Sequence, residues 1–131
     1  MEHSELKDFA EELIREVRDD SVSQIARYLA GLYGPDHPML PCWQREMSDE
    51  HRLAIANAIV HSVDVALNNM MRFIEERIDT EISLTVRDGT TRYTVRNTDM
   101  LNSWYGAWVD DFGKATGEGL MKQAREAEQQ K

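Results

Sequence analysis

"EISLTVRDGTTRYTVRN", Glu81–Asn97, is the stretch on which the fold turns. Ile82, Leu84 and Val86 alternate with polar residues, and Tyr93 and Val95 alternate with Arg92, Thr94 and Arg96. A period of two marks strands with one face on a core. Asp88-Gly89 stands between the two arms, a pair favoured in two-residue type I′ loops. Such a loop sets Val86 opposite Thr91, Leu84 opposite Tyr93 and Ile82 opposite Val95, all facing one way. An isolated hairpin is marginal in water, so this one calls for helices against its apolar face, with further strands or a partner's edge.

The segment before it supplies a helix. Ser48 precedes Asp49 and Glu50, a cap followed by acids at the positive helix end. Leu53, Ala56, Ile59, Val60, Val63, Leu67, Met70, Met71, Ile74 and Ile78 form a wide apolar stripe, and Ala54, Ile55, Ala58, Val65 and Ala66 extend it round the back. A helix apolar on most sides is either central or covered by a second subunit. That surplus predicts a homodimer.

Residues 4–32 read as a first long helix through Leu6, Phe9, Leu13, Val17, Ile25, Tyr28 and Leu32, with a kink or restart at Asp19-Asp20-Ser21. "GPDHPMLPC", Gly34–Cys42, holds the three prolines and stops any helix.

After the hairpin comes "SWYGAWVDDFGK", Ser103–Lys114. Read as helix, Leu101, Trp104, Tyr105, Trp108 and Phe112 fall within about 100° of one another. Asp110 then points away and Asp111 flanks the stripe. Read as a strand, "AWVDDF" would put Trp108 and Phe112 on one face with Asp110, a poor mixture. Gly106 costs the helix roughly 1 kcal/mol relative to Ala. Residues 120–131 read as a polar terminal helix or a frayed tail. The expected fold is therefore α+β, one domain over 1–131. Two long antiparallel helices pack with the hairpin turning at Asp88-Gly89, and an aromatic C-terminal helix completes it.

Charge narrows the function. The net charge is −9, which disfavours nucleic acid and suits a basic protein partner. Acids crowd residues 1–20, where Glu2, Glu5, Asp8, Glu11, Glu12, Glu16, Asp19 and Asp20 face Lys7, Arg15 and Arg18. The bland account of that run is a solvated helix face. No apolar run approaches the roughly 20 residues of a membrane helix, and the acidic N-terminus lacks a signal-peptide core. The expected location is cytoplasmic, with no membrane partner. Cys42 is the one cysteine, so no internal disulfide can form.

No chemistry-bearing motif emerges. His37, His51, His61 and Cys42 lack metal-ligand spacing, and there is no HExxH or CxxC. No serine sits in GxSxG, and Gly113, Gly117 and Gly119 lack the phosphate-loop pattern. The acidic pairs are adjacent, hence about 100° apart on a helix. The chain is expected to be no enzyme, with no metal and no cofactor.

Two groups stand out as candidate binding residues. Asn57, His61, Asp64, Asn68, Arg72 and Glu75 share a narrow polar sector of the 48–78 helix, either a solvent strip or the wall of a ligand pocket. Trp104 and Trp108, with Asp110 and Asp111, combine interface-prone aromatics with acids suited to a basic partner.

"AIVHSVDVALNNMMRFIEE", Ala58–Glu76, followed by a hairpin and by "GAWVDDFGK", Gly106–Lys114, resembles small bacterial proteins of unknown function, some of them like immunity proteins that neutralise toxins. The resemblance implies an interaction protein and carries no active site across. Together these readings lead to a non-enzymatic acidic binding module of immunity or inhibitor type, acting by surface complementarity. The alternative is a small-ligand or nucleotide binder using the polar stripe.

Overall fold

The structure, a computed structural model, describes residues 3–32, 42–77, 81–85, 91–96 and 99–130. Helix α1 (His3–Glu12) runs into a π-helical segment (Leu13–Asp19) and then α2 (Asp20–Leu29). A short π-helical turn (Cys42–Glu46) precedes α3 (Asp49–Arg77). Strands β1 (Glu81–Thr85) and β2 (Thr91–Arg96) follow, then α4 (Leu101–Phe112) and α5 (Gly117–Gln129).

The α+β expectation is overturned, because the described chain is mostly helical. The strands are 5 and 6 residues long against 29 for α3 alone, and they pair only with each other among the described residues. Alternation identifies a strand locally but says nothing about how much of the core strands will build. Ile82 lies opposite Val95 and Leu84 opposite Tyr93. The ladder then shifts, so Thr85 rather than Val86 meets Thr91, an irregularity of the kind that strengthens local twist. The Asp88-Gly89 turn lies outside the described residues.

The second long helix forms as α3, in one piece. The first is three pieces, restarting at Asp20 as expected, and its middle piece is wound more widely. Ala10 and Ile14 are buried in the first of the two compact units below, and Arg18, Val22, Ala26 and Ala30 in the second, at steps of four within each. Arg18 turns inward at 4% exposure, while Val17, expected in the stripe, is 43% exposed.

The chain divides into two compact units. The first comprises Met1–Val17 and Val65–Gly113. Its core is Phe9, Ala10, Ile14, Met71, Ile74, Val95, Leu101, Tyr105 and Trp108. The Phe9 ring meets Tyr93 at 5.8 Å and Trp108 at 6.2 Å, both edge-on. Each such pair adds about 1 kcal/mol beyond area burial. Helix α4 enters this core without a capping side chain of its own, since Met100 stands at the N-cap. Glu75 on α3 supplies the missing acceptor, taking the Asn102 N–H at 2.8 Å.

The second unit comprises Arg18–Asp64 and Lys114–Lys131, with Val22, Ala26, Leu29, Trp43, Ala56, Val60, Leu120 and Ala124 at its core. The aromatic helix is thus not the last one. Residues 117–129 form α5, capped by Thr116, whose Oγ1 accepts the Gly119 N–H at 3.0 Å. Of the two readings, terminal helix or frayed tail, the helix forms, and α5 buries Leu120 and Ala124 and packs chiefly on α2. Gly117 makes a close approach to α3 possible: a Cβ there would stand 2.9 Å from the Asn57 backbone nitrogen.

Candidate functional site

The polar stripe on α3 includes residues already engaged in the fold. Asp64 is committed to Arg18, which donates from Nε to Oδ1 at 2.7 Å and from Nη2 to Oδ2 at 3.2 Å. Arg18 also donates from Nη1 to Asp19 at 2.7 Å and to the Ala115 carbonyl at 3.2 Å. Asp19 in turn accepts the backbone N–H groups of Lys114 and Ala115 at 3.0 and 3.2 Å. Burial alone would lower the Arg18 pKa, but hydrogen bonds and charge from Asp64, then Asp19, raise it above its ordinary value. The guanidinium is therefore a fixed cation, and the network is a structural clasp inside the second unit. Sequence reasoning missed it. The available signal was a charged residue filling one place in an otherwise apolar four-residue series.

The other stripe residues scatter by role. Asn57 sits against Gly117, and His61 is exposed. Asn68 is half-buried, and Arg72 is exposed and donates to Asn69 at 3.0 Å. Glu75 caps α4. None of the stripe residues lines the clefts described next.

Those clefts are open and shallow. In the first unit, Asp8, Glu11, Glu12, Arg15 and Tyr93 border about 340 Å³. In the second, Trp43, Gln44, Arg52, Met121, Arg125 and Glu128 border about 140 Å³, and a mostly apolar groove by Leu53 and Met121 holds about 470 Å³. Arg52 is already committed, donating to the Trp43 carbonyl at 2.6 Å, the Gln44 carbonyl at 3.1 Å and Asp49 at 2.9 Å. Among the described residues, no group of three His, Cys, Asp or Glu is placed to hold a metal. Cys42 donates its thiol to Glu46 at 3.5 Å; that hydrogen bond and the carboxylate's charge push the thiol pKa up, away from nucleophile chemistry. No described helix is long and apolar enough to cross a membrane.

Helix α4 behaves differently. Its aromatics divide: Trp108 is 6% exposed and edge-on to Phe9, while Trp104 is 45% exposed. Leu101, Tyr105 and Trp108, at i, i+4 and i+7, fill the buried centre, which leaves Trp104 at the stripe's edge. Met100, Trp104, Ala107 and Asp111 follow one another along a single exposed side, with Ser103, Gly106 and Asp110 beside them. The sequence-predicted residues Trp104, Asp110 and Asp111 therefore lie on one face, and Trp108 lies in the core.

Set against known proteins, the chain matches no family model, no curated protein and no solved structure.

Proposed function

We propose that the protein is a non-enzymatic acidic binding module that recognises a protein partner by surface complementarity, in the manner of immunity and inhibitor proteins, and acts in the cytoplasm. One observation carries this reading. Trp104 stands exposed on the outer face of α4, beside exposed Met100 and ahead of the Asp110-Asp111 pair. A large aromatic at the centre of an exposed face, with charge at its edge, is the arrangement found at interface hot spots. The ligand-binding alternative has less support, because Asp64 and Glu75 serve the fold and no described cleft is lined by the stripe.

The test is photo-crosslinking from position 104, combined with affinity capture by the wild-type chain and by Trp104→Ala. A partner crosslinked at 104, captured by wild type and lost with Trp104→Ala, supports the reading. Capture that ignores Trp104 defeats it. A homodimer is the second proposal, favoured by Val65, Ala66, Met70 and Phe73, which lie exposed along one side of α3. Light scattering that returned a monomer would remove it.

A further inference from the structure

Helix α4 breaks the rules of helix stability at three places, and all three lie on its exposed side. At its start, Met100 holds φ 56°, a left-handed conformation that costs any residue with a side chain. In its middle stands Gly106, the poorest helix former after proline, and a Cβ there would meet nothing within 4 Å. At its end stand Asp110 and Asp111, with no basic residue in the last turn, where the helix dipole already carries negative charge. Neither aspartate forms an ion pair among the described residues. The buried side carries Leu101, Tyr105 and Trp108, with the Asn102 Oδ1 buried beside them without a hydrogen-bond partner among the described residues. The three departures from helix preference gather on the exposed face, which points to a demand from outside the helix.

We infer that this face docks a basic amphipathic helix of the protein partner; the inference rests on the binding reading above. Each departure has a matching role. Ser103, Gly106 and Ala107 are small and exposed, so another helix can approach the α4 backbone closely. Met100 and Trp104 flank that channel with apolar surface. Asp110 and Asp111 place two negative charges at one end, reinforced by the dipole, and so select lysine or arginine there. The occupant therefore carries an aliphatic face over about three turns, with its cations gathered toward one end.

The experiment uses the full chain and fluorescein-labelled peptides, read by anisotropy. One peptide is a Leu/Lys amphipathic helix with its lysines gathered at one end; a second has the same composition scrambled; a third carries Glu for Lys. The helix is expected to bind at least about tenfold more tightly than either control. Asp110→Asn with Asp111→Asn is expected to weaken it about tenfold, whereas Asp8→Asn with Glu11→Gln, which removes equal charge from α1, leaves it within about twofold. Gly106→Gln keeps a good helix former in open space, so the fold stands while docking weakens about tenfold. Equal losses from the two charge-removal pairs, or undiminished binding by Gly106→Gln, would overturn the docked-helix inference while leaving the protein-binding reading intact. That reading falls separately, through Trp104-independent capture.

Discussion

Arg18 and Asp64, 46 residues apart in sequence, meet through two guanidinium–carboxylate hydrogen bonds of 2.7 and 3.2 Å. Together with Asp19 they tie the start of α2, the middle of α3 and the Lys114-Ala115 loop into one network. Removing the cation leaves two carboxylates without their shared partner. Arg18→Ala is expected to cost about 3 kcal/mol, the lower end for a broken buried pair, because Asp64 keeps part of its water. Asp64→Ala is expected to cost less, about 2 kcal/mol, since Asp19 still holds the guanidinium. Urea midpoints followed by far-UV circular dichroism check the order; equal midpoints for wild type and Arg18→Ala would mean the clasp is ornamental.

The glycines separate by surroundings. Gly117→Ala drives a methyl into Asn57, including its backbone, and is expected to lose about 2 kcal/mol. Gly106→Ala meets open space and is expected to gain up to about 1 kcal/mol. Thermal unfolding of the two variants should therefore move in opposite directions, and a shared direction would refute the packing assigned to Gly117.

Met100 is 57% exposed as well as left-handed, so its side chain contributes little burial to offset the strain. Met100→Gly is expected to stabilise the chain by about 1 kcal/mol. The same variant removes apolar surface from the α4 face. Greater stability with weaker peptide binding is the combination to look for in paired melting and anisotropy measurements.

Cys42 offers a pH-dependent readout. Its thiol pKa is raised by the hydrogen bond to Glu46 and by that carboxylate's charge, so at neutral pH less thiolate is present than for an ordinary cysteine. Glu46→Gln removes the charge and lowers the pKa back toward its usual value. Iodoacetamide labelling is then expected to run faster in the variant near pH 8, with the whole rate profile displaced to lower pH. Superimposable profiles would show that Glu46 exerts no such control.

Local signals were legible where one physical rule governs a segment. The start of α3 is an example: Ser48 Oγ accepts the His51 N–H at 3.2 Å, as a serine ahead of two acids suggests. Legibility failed where a partner distant in the chain decides. Nothing near Asp64 in sequence reveals that Arg18 claims it, so the residue read as a stripe member. The Glu81–Asn97 alternation suggested a larger share of sheet than the described residues build, because periodicity reports a segment's own face and not the architecture around it. "LMKQAREAEQQK" looked polar since few of its residues are apolar, yet buried Leu120 and Ala124, with half-buried Met121 beside them, suffice when α2 presents a matching surface. At Trp104, sequence placed the ring within a stripe about 100° wide, and packing space ran out before reaching that edge.

The widened winding of Leu13–Asp19 also makes room for a change of length. Arg15 and Glu16 within it are both exposed. A π segment holds more residues per turn than an α-helix, so deleting either one lets the segment tighten toward α winding, with far less than the roughly 100° rotation that a deletion causes in a plain α-helix. This stretch should therefore accept the loss of a residue as well as its replacement.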